Sequence, residues 1–93
     1  PCGDYFWMRE IKTKLKEILN QYVGADIVPD IVKQNNVKYG DEKTTFIELD
    51  IVNNTPPKVD LIFSRDCLVH LSFKDIVNAL KGFEKSGTQY LLT

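Results

Sequence analysis

The sequence predicts an α/β fold, with a mostly parallel sheet covered by helices on both faces. Three observations carry that prediction. Segments of helical periodicity alternate with short β-branched runs. The runs are apolar at successive positions, as strands buried on both faces are. Gly, Pro, Asn and Asp fill the links between them and interrupt regular structure.

The chain has 93 residues, suiting one small domain, with 43% hydrophobic and 27% charged residues. A formal net charge of −1 gives no support for attraction to nucleic acid or to a membrane surface. Lys12, Lys14 and Lys16 read as one solvated helix face. Two cysteines, Cys2 and Cys67, with no secretory signal or long apolar run, suggest a reducing, cytoplasmic setting. Reduced thiols are expected there, with a single disulfide left open.

The chain opens with Pro1-Cys2-Gly3-Asp4, a turn. Met8, Ile11, Leu15, Ile18, Leu19 and Tyr22 then recur at three- and four-residue intervals, predicting an amphipathic helix from about Phe6 to Gln21. Tyr22–Val28 reads as a buried strand ending near one carboxylate, Asp26. Pro29 suits a first helical position and Asp30 a first turn, so a second helix runs to about Tyr39 with Ile31, Val32 and Asn35 inward. Gly40-Asp41 ends it.

Thr45–Ile51 is β-branched and aromatic, hence a strand. Asn53–Pro57 is a loop, because consecutive prolines extend neither helix nor central strand. Val59–Ser64 is a further apolar strand. Ser72 and Asp75 form a capping pattern ahead of Ile76, Val77, Leu80 and Phe83. Ser86-Gly87 closes that helix, and Gln89–Leu92 begins another strand. A parallel unit of this kind needs a strand before the opening turn, so the fold is expected to be incomplete at both ends.

Ligands of open parallel sheets bind beyond the carboxyl ends of the strands. Four polar signals sit at such ends: Gly3-Asp4, Asp26, Asp50 and Ser64-Arg65-Asp66. Gly3 permits close backbone approach, and the helix behind it turns its N-terminus toward an anionic group. Asp26 follows about twenty residues later, the spacing at which a carboxylate meets ribose hydroxyls. The residues thus point to a nucleoside-bearing ligand with a small anionic end.

The segments "PCGDYFWM", "GADIVPDIV", "FIELDIV" and "DLIFSRDCLVHLSF" follow one another at the spacings of class I S-adenosylmethionine-dependent methyltransferases. The opening resembles a D-x-P-C-G-D subgroup of that family. The resemblance covers nearly the whole chain. It implies a Rossmann-like three-layer sandwich with strand order 3-2-1-4-5, lacking most of its first strand and all that follows the start of its fifth.

It also implies that Cys2, Gly3 and Asp4 pack against the methionine part of the cofactor. Asp26 would hold the ribose hydroxyls, with Ile27 and Val28 flanking the adenine. Asp50 would meet the adenine amino group beside the Ile51 backbone. Ser64, Arg65 and Asp66 would pass the methionyl end. The family's usual glycine pattern is altered, with Pro1 in place of its first glycine and Tyr5 in place of its third. Tyr5 removes backbone freedom, so the turn is expected to differ in detail.

Other readings of these residues stand beside the implied ones. Asp26 also suits a helix cap before Pro29, and Asp50 suits a turn before Asn53-Asn54. Asp66 either neutralises the cofactor's positive charge or caps the turn Cys67–Leu71. His70, the only histidine, is a candidate general base, or packs beneath the site. Phe6 and Trp7 serve either as core or as a lid. Cys2, Cys67 and His70 lack a fourth ligand and paired spacing, so no metal site is expected.

The function these expectations name is methyl transfer to an unidentified acceptor. The alternatives are a non-catalytic cofactor-binding or interaction module with the same fold, and a dinucleotide-binding domain. Substrate residues of the family lie mainly outside the matched segments. Without its first strand the sheet leaves two apolar edges. The 93 residues alone are therefore expected to be unstable and inactive, and to pair those edges with another chain or with the missing strand.

Overall fold

A computed structural model of the protein describes residues 1–15 and 17–93. Lys16, one of the three lysines expected on a solvated helix face, lies outside the described residues. The described residues form three α-helices and two two-stranded parallel sheets, an α/β arrangement. They divide into two units, Pro1–Glu48 and Leu49–Thr93. None of their helices is long and apolar enough to cross a membrane.

In the first unit, helix α1 (Phe6–Lys14) precedes strand β1 (Tyr22–Asp26), helix α2 (Pro29–Tyr39) and strand β2 (Thr44–Glu48). β1 and β2 pair in parallel, from Tyr22 opposite Thr44 to Asp26 opposite Glu48. Tyr5, Val32 and Phe46 are buried together, with Cys2, Met8, Tyr22 and Tyr39 packed against them. The Tyr5 ring lies 5.1–5.2 Å from the rings of Tyr22, Tyr39 and Phe46. Aromatic packing is therefore the centre of this core. Gly24 makes room for it, because a Cβ there would sit 2.6 Å from Phe46 Cδ1.

α2 takes the predicted bounds, with Pro29 in its first turn and Asp30 beside it. α1 is shorter than the expected Phe6–Gln21. None of its residues is buried, and Ile11, Leu15 and Ile18 are exposed. An isolated helix is marginal in water, so a periodic face that gains no burial does not extend the helix. β1 also stops two residues before the expected Val28, because the Asp26 carboxylate accepts the Val28 N–H at 3.0 Å and turns the chain into α2.

In the second unit, strand β3 (Leu61–Phe63) leads through a 3₁₀ turn (Leu68–His70) to helix α3 (Phe73–Lys85) and strand β4 (Tyr90–Leu92). β3 pairs with β4 in parallel, Leu61 opposite Tyr90 and Phe63 opposite Leu92, and the Ser64 N–H adds a bond to the Leu92 carbonyl. Ser72 caps α3 by accepting the Asp75 N–H at 3.2 Å, as its S-x-x-D pattern predicts. Ala79 and Phe83 are the buried residues of that helix.

Two further expected strands are trimmed by side-chain bonds. The strand expected over Thr45–Ile51 ends at Glu48, because the Asp50 carboxylate claims the Val52 N–H for a turn. The strand expected over Val59–Ser64 starts at Leu61, the Val59 N–H being taken by the Thr88 hydroxyl at 3.1 Å.

Candidate functional site

Gly3, Asp26 and Asn35 come together at the carboxyl end of β1. The Gly3 N–H donates to Asp26 Oδ2 at 3.0 Å, across 23 residues of sequence. Asp26 Oδ1 accepts the Val28 N–H, and the residue is only 5% exposed. On the other side of the turn, Asn35 Nδ2 donates to the Gly3 carbonyl at 2.7 Å. The Cys2 N–H donates to the Ala25 carbonyl at 2.8 Å, tying the opening residues to β1. Asp26 is thus a tertiary clamp as well as a local turn former, and the cap of α2 is Val28.

Both polar ends of Gly3 are held from outside the turn, which leaves its Cα face to consider. Gly3 lies at φ +57°, and a Cβ placed there would have nothing within 4 Å. The backbone is therefore open to a ligand approaching closely. Each oxygen of Asp26 accepts one backbone N–H at 3.0 Å, and an ionised carboxylate has about four acceptor positions. Capacity for two hydroxyl donors remains. Ile27 is 59% exposed and Val28 exposed beside it, as groups that flank a flat ring need to be.

Tyr5 is the residue at which the opening turn passes into α1. It adopts φ 68° and ψ 5°, the left-handed conformation that glycine takes easily. The ring is buried among three other aromatic rings, and that packing offsets the local strain. Asp4 alters the expected helix terminus as well, since its Oδ1 accepts the Phe6 N–H at 3.0 Å. A side chain of the turn itself thus supplies negative charge at the start of α1.

The Cys2 thiol is pushed above its ordinary pKa, first by burial and then by the neighbouring Asp26 charge. Cys2 and Cys67 are both free and half-buried. A protonated thiol beside a carboxylate packs and does not attack.

The remaining sequence-predicted residues belong to the second unit. Asp50 Oδ1 accepts the Val52 N–H and its Oδ2 accepts Asn53 Nδ2 at 2.7 Å. These bonds lower its pKa, the Asn53 contact most. They make Asp50 a turn organiser, with Ile51 half-buried beside it. Asp66 stands at φ 51°, 3.6 Å from the Arg65 guanidinium, on an exposed surface where such pairs contribute about 0–1 kcal/mol. Ser64 is buried, and His70 is exposed at the end of the 3₁₀ turn. No group of three or more His, Cys, Asp or Glu among the described residues is arranged to hold a metal ion.

The sequence reading singled out Asn35 only as an inward-facing residue. Its role as the bond that fixes Gly3 from α2 was legible only as a polar residue on an apolar helix face. No family model, curated protein or solved structure matches the chain.

Proposed function

We propose that the protein is a class I methyltransferase core that binds S-adenosylmethionine. The observation that carries this reading is the 3.0 Å bond from the Gly3 N–H to Asp26 Oδ2. It puts an open glycine turn against a strand-end carboxylate that retains acceptor capacity. Two parallel pairs, β1–β2 and β3–β4, support it, agreeing with the neighbours 3-2 and 4-5 in the order 3-2-1-4-5.

In this reading Asp26 accepts the ribose hydroxyls, Ile27 and Val28 cover one face of the adenine, and Cys2, Gly3 and Asp4 line the methionyl end. The cofactor would supply an activated methyl group and its own leaving group. The protein's tasks are alignment and exclusion of water.

Titration calorimetry with S-adenosylhomocysteine and with NAD tests the proposal. Binding of the first and not the second is expected, with Asp26→Ala weakening it by tenfold or more, on the order of 1.5–3 kcal/mol for a charged hydrogen-bond partner. Failure of S-adenosylhomocysteine to bind the folded protein would overturn the cofactor reading. Binding without methyl transfer to any acceptor tried would favour the non-catalytic alternative.

A further inference from the structure

Gly3 has no side chain with which to hold the opening turn in one conformation. Glycine takes positive and negative φ about equally readily, so its observed φ of +57° is set by its surroundings. The turn's own bond, from the Tyr5 N–H to the Cys2 carbonyl, is long at 3.3 Å. Two side chains from different elements do the rest. Asp26, at the end of β1, accepts the Gly3 N–H at 3.0 Å and orients the peptide before its Cα. Asn35, on α2, donates Nδ2 to the Gly3 carbonyl at 2.7 Å and orients the peptide after it.

Stability alone does not call for asparagine there. Asn35 is 3% exposed and shares the buried side of α2 with Val32. Asparagine is among the weaker helix formers, and a buried amide costs free energy until it is paired. An apolar side chain would serve helix and core without that cost. The neighbouring Asn36 spends its amide on Phe46. Asn35 instead donates to the turn, from one Nδ2 to the Gly3 carbonyl and, at 3.9 Å, to Cys2 Sγ. Both contacts cross more than thirty residues of sequence and end on successive residues of the turn.

We propose that Asn35 is a positioning residue, holding the Gly3 turn in the conformation that receives the amino-acid end of the cofactor. This role rests on the cofactor reading above. Asn35 acts through Gly3, whereas Asp26 meets the nucleoside with its own carboxylate. The two anchors thereby divide the ligand between them. Without the Asn35 bond, Gly3 exchanges among turns, and apparent affinity falls with the fraction that remains competent. That loss falls on ligands that reach the turn. Adenosine carries the nucleoside and no amino-acid end, so it is spared. A merely structural Asn35 would weaken both kinds of ligand alike.

Calorimetric titration with S-adenosylhomocysteine and with adenosine tests it on the native protein, Asn35→Ala, Asn35→Leu and Asn36→Ala. Asn35→Leu removes the donor without leaving a cavity. Each Asn35 variant should bind S-adenosylhomocysteine about tenfold more weakly, as a turn competent about a tenth of the time requires, with adenosine affinity unchanged. Asn36→Ala should lose stability and keep both affinities. In the ligand-free proteins, the two three-bond H–N–C–H couplings of Gly3 should fit φ near +57° natively and average toward those of a mobile glycine in the Asn35 variants. Equal weakening of the two ligands, unchanged S-adenosylhomocysteine affinity, or native couplings in the variants would each overturn the role of Asn35 and leave the cofactor reading standing. Failure of S-adenosylhomocysteine to bind the native protein would overturn the cofactor reading, and this role with it.

Discussion

The Asn36 side chain closes the outer edge of β2 at Phe46. Its Oδ1 accepts the Phe46 N–H at 2.9 Å, and its Nδ2 donates to the Phe46 carbonyl at 2.8 Å. One amide thereby imitates the next strand of the sheet and satisfies an otherwise unpaired edge position. Asn36→Ala should destabilise the protein by about 1–2 kcal/mol, since two bonds worth about 0.5–1.5 kcal/mol each are lost where water can partly replace them. Urea unfolding measures this, and an unchanged midpoint would count against the edge role.

Ligand binding at the turn should register as stability. S-adenosylhomocysteine at a hundredfold excess over its Kd is expected to add about 2.7 kcal/mol to the unfolding free energy. Asp26→Ala, weakening binding tenfold or more, should cut that increment at the same ligand concentration to about 1.4 kcal/mol or less, and should also lower the ligand-free stability, because the Gly3 and Val28 N–H groups both lose their acceptor. Thermal denaturation with and without ligand separates the two effects. A ligand-induced shift of undiminished size in the variant would remove Asp26 from the site.

Tyr5→Gly sets two opposing effects against each other. Glycine relieves a left-handed conformation that costs an L-residue roughly 1–2 kcal/mol. It also deletes a buried aromatic ring, which costs about 3–5 kcal/mol in a packed core. Packing wins, and a net loss of about 2 kcal/mol is expected in chemical denaturation. A more stable variant would show that the ring does not pack as described.

Alkaline pH should weaken the first unit. Burial raises the pKa of Tyr22, Tyr5 and Cys2 above their ordinary values of 10.0, 10.0 and 9.0. A raised pKa means that the folded form holds its proton more tightly than the unfolded one. The resulting stability is complete below the unfolded values and is lost as pH rises through them toward the folded ones. The urea midpoint should therefore be lower at pH 11 than at pH 8. Tyr22→Phe, which removes the most strongly shifted of the three groups, should flatten that dependence. A midpoint that rises with pH would refute the assignment.

The parts of the fold legible in the sequence were those whose signals are local. Pro29 and Asp30 fix the start of α2, and Ser72 with Asp75 fixes the start of α3, from neighbouring residues alone. The ends of β1, β2 and β3 were placed too generously. Asp26, Asp50 and Thr88 each capture a backbone N–H from a strand flank, and a side-chain choice of this kind has no periodicity. In the site, Gly3 and Asp26 were legible as two separate strand-end signals, and the bond between them was not. The contributions of Asn35 and of the left-handed Tyr5 were not, since both depend on what α2 and β2 bring to the turn.

Gly24 and Phe46 stand opposite each other in the parallel ladder, and the ring occupies the space a Gly24 side chain would fill. Sliding β1 by one residue along β2 would bring Val23 or Ala25 beneath that ring and turn every side chain to the opposite face. The alignment is thus keyed by a missing methyl group. Because Asp26 lies two residues beyond Gly24, the same key sets how far the carboxylate projects past the end of the sheet, and with it the reach of Gly3.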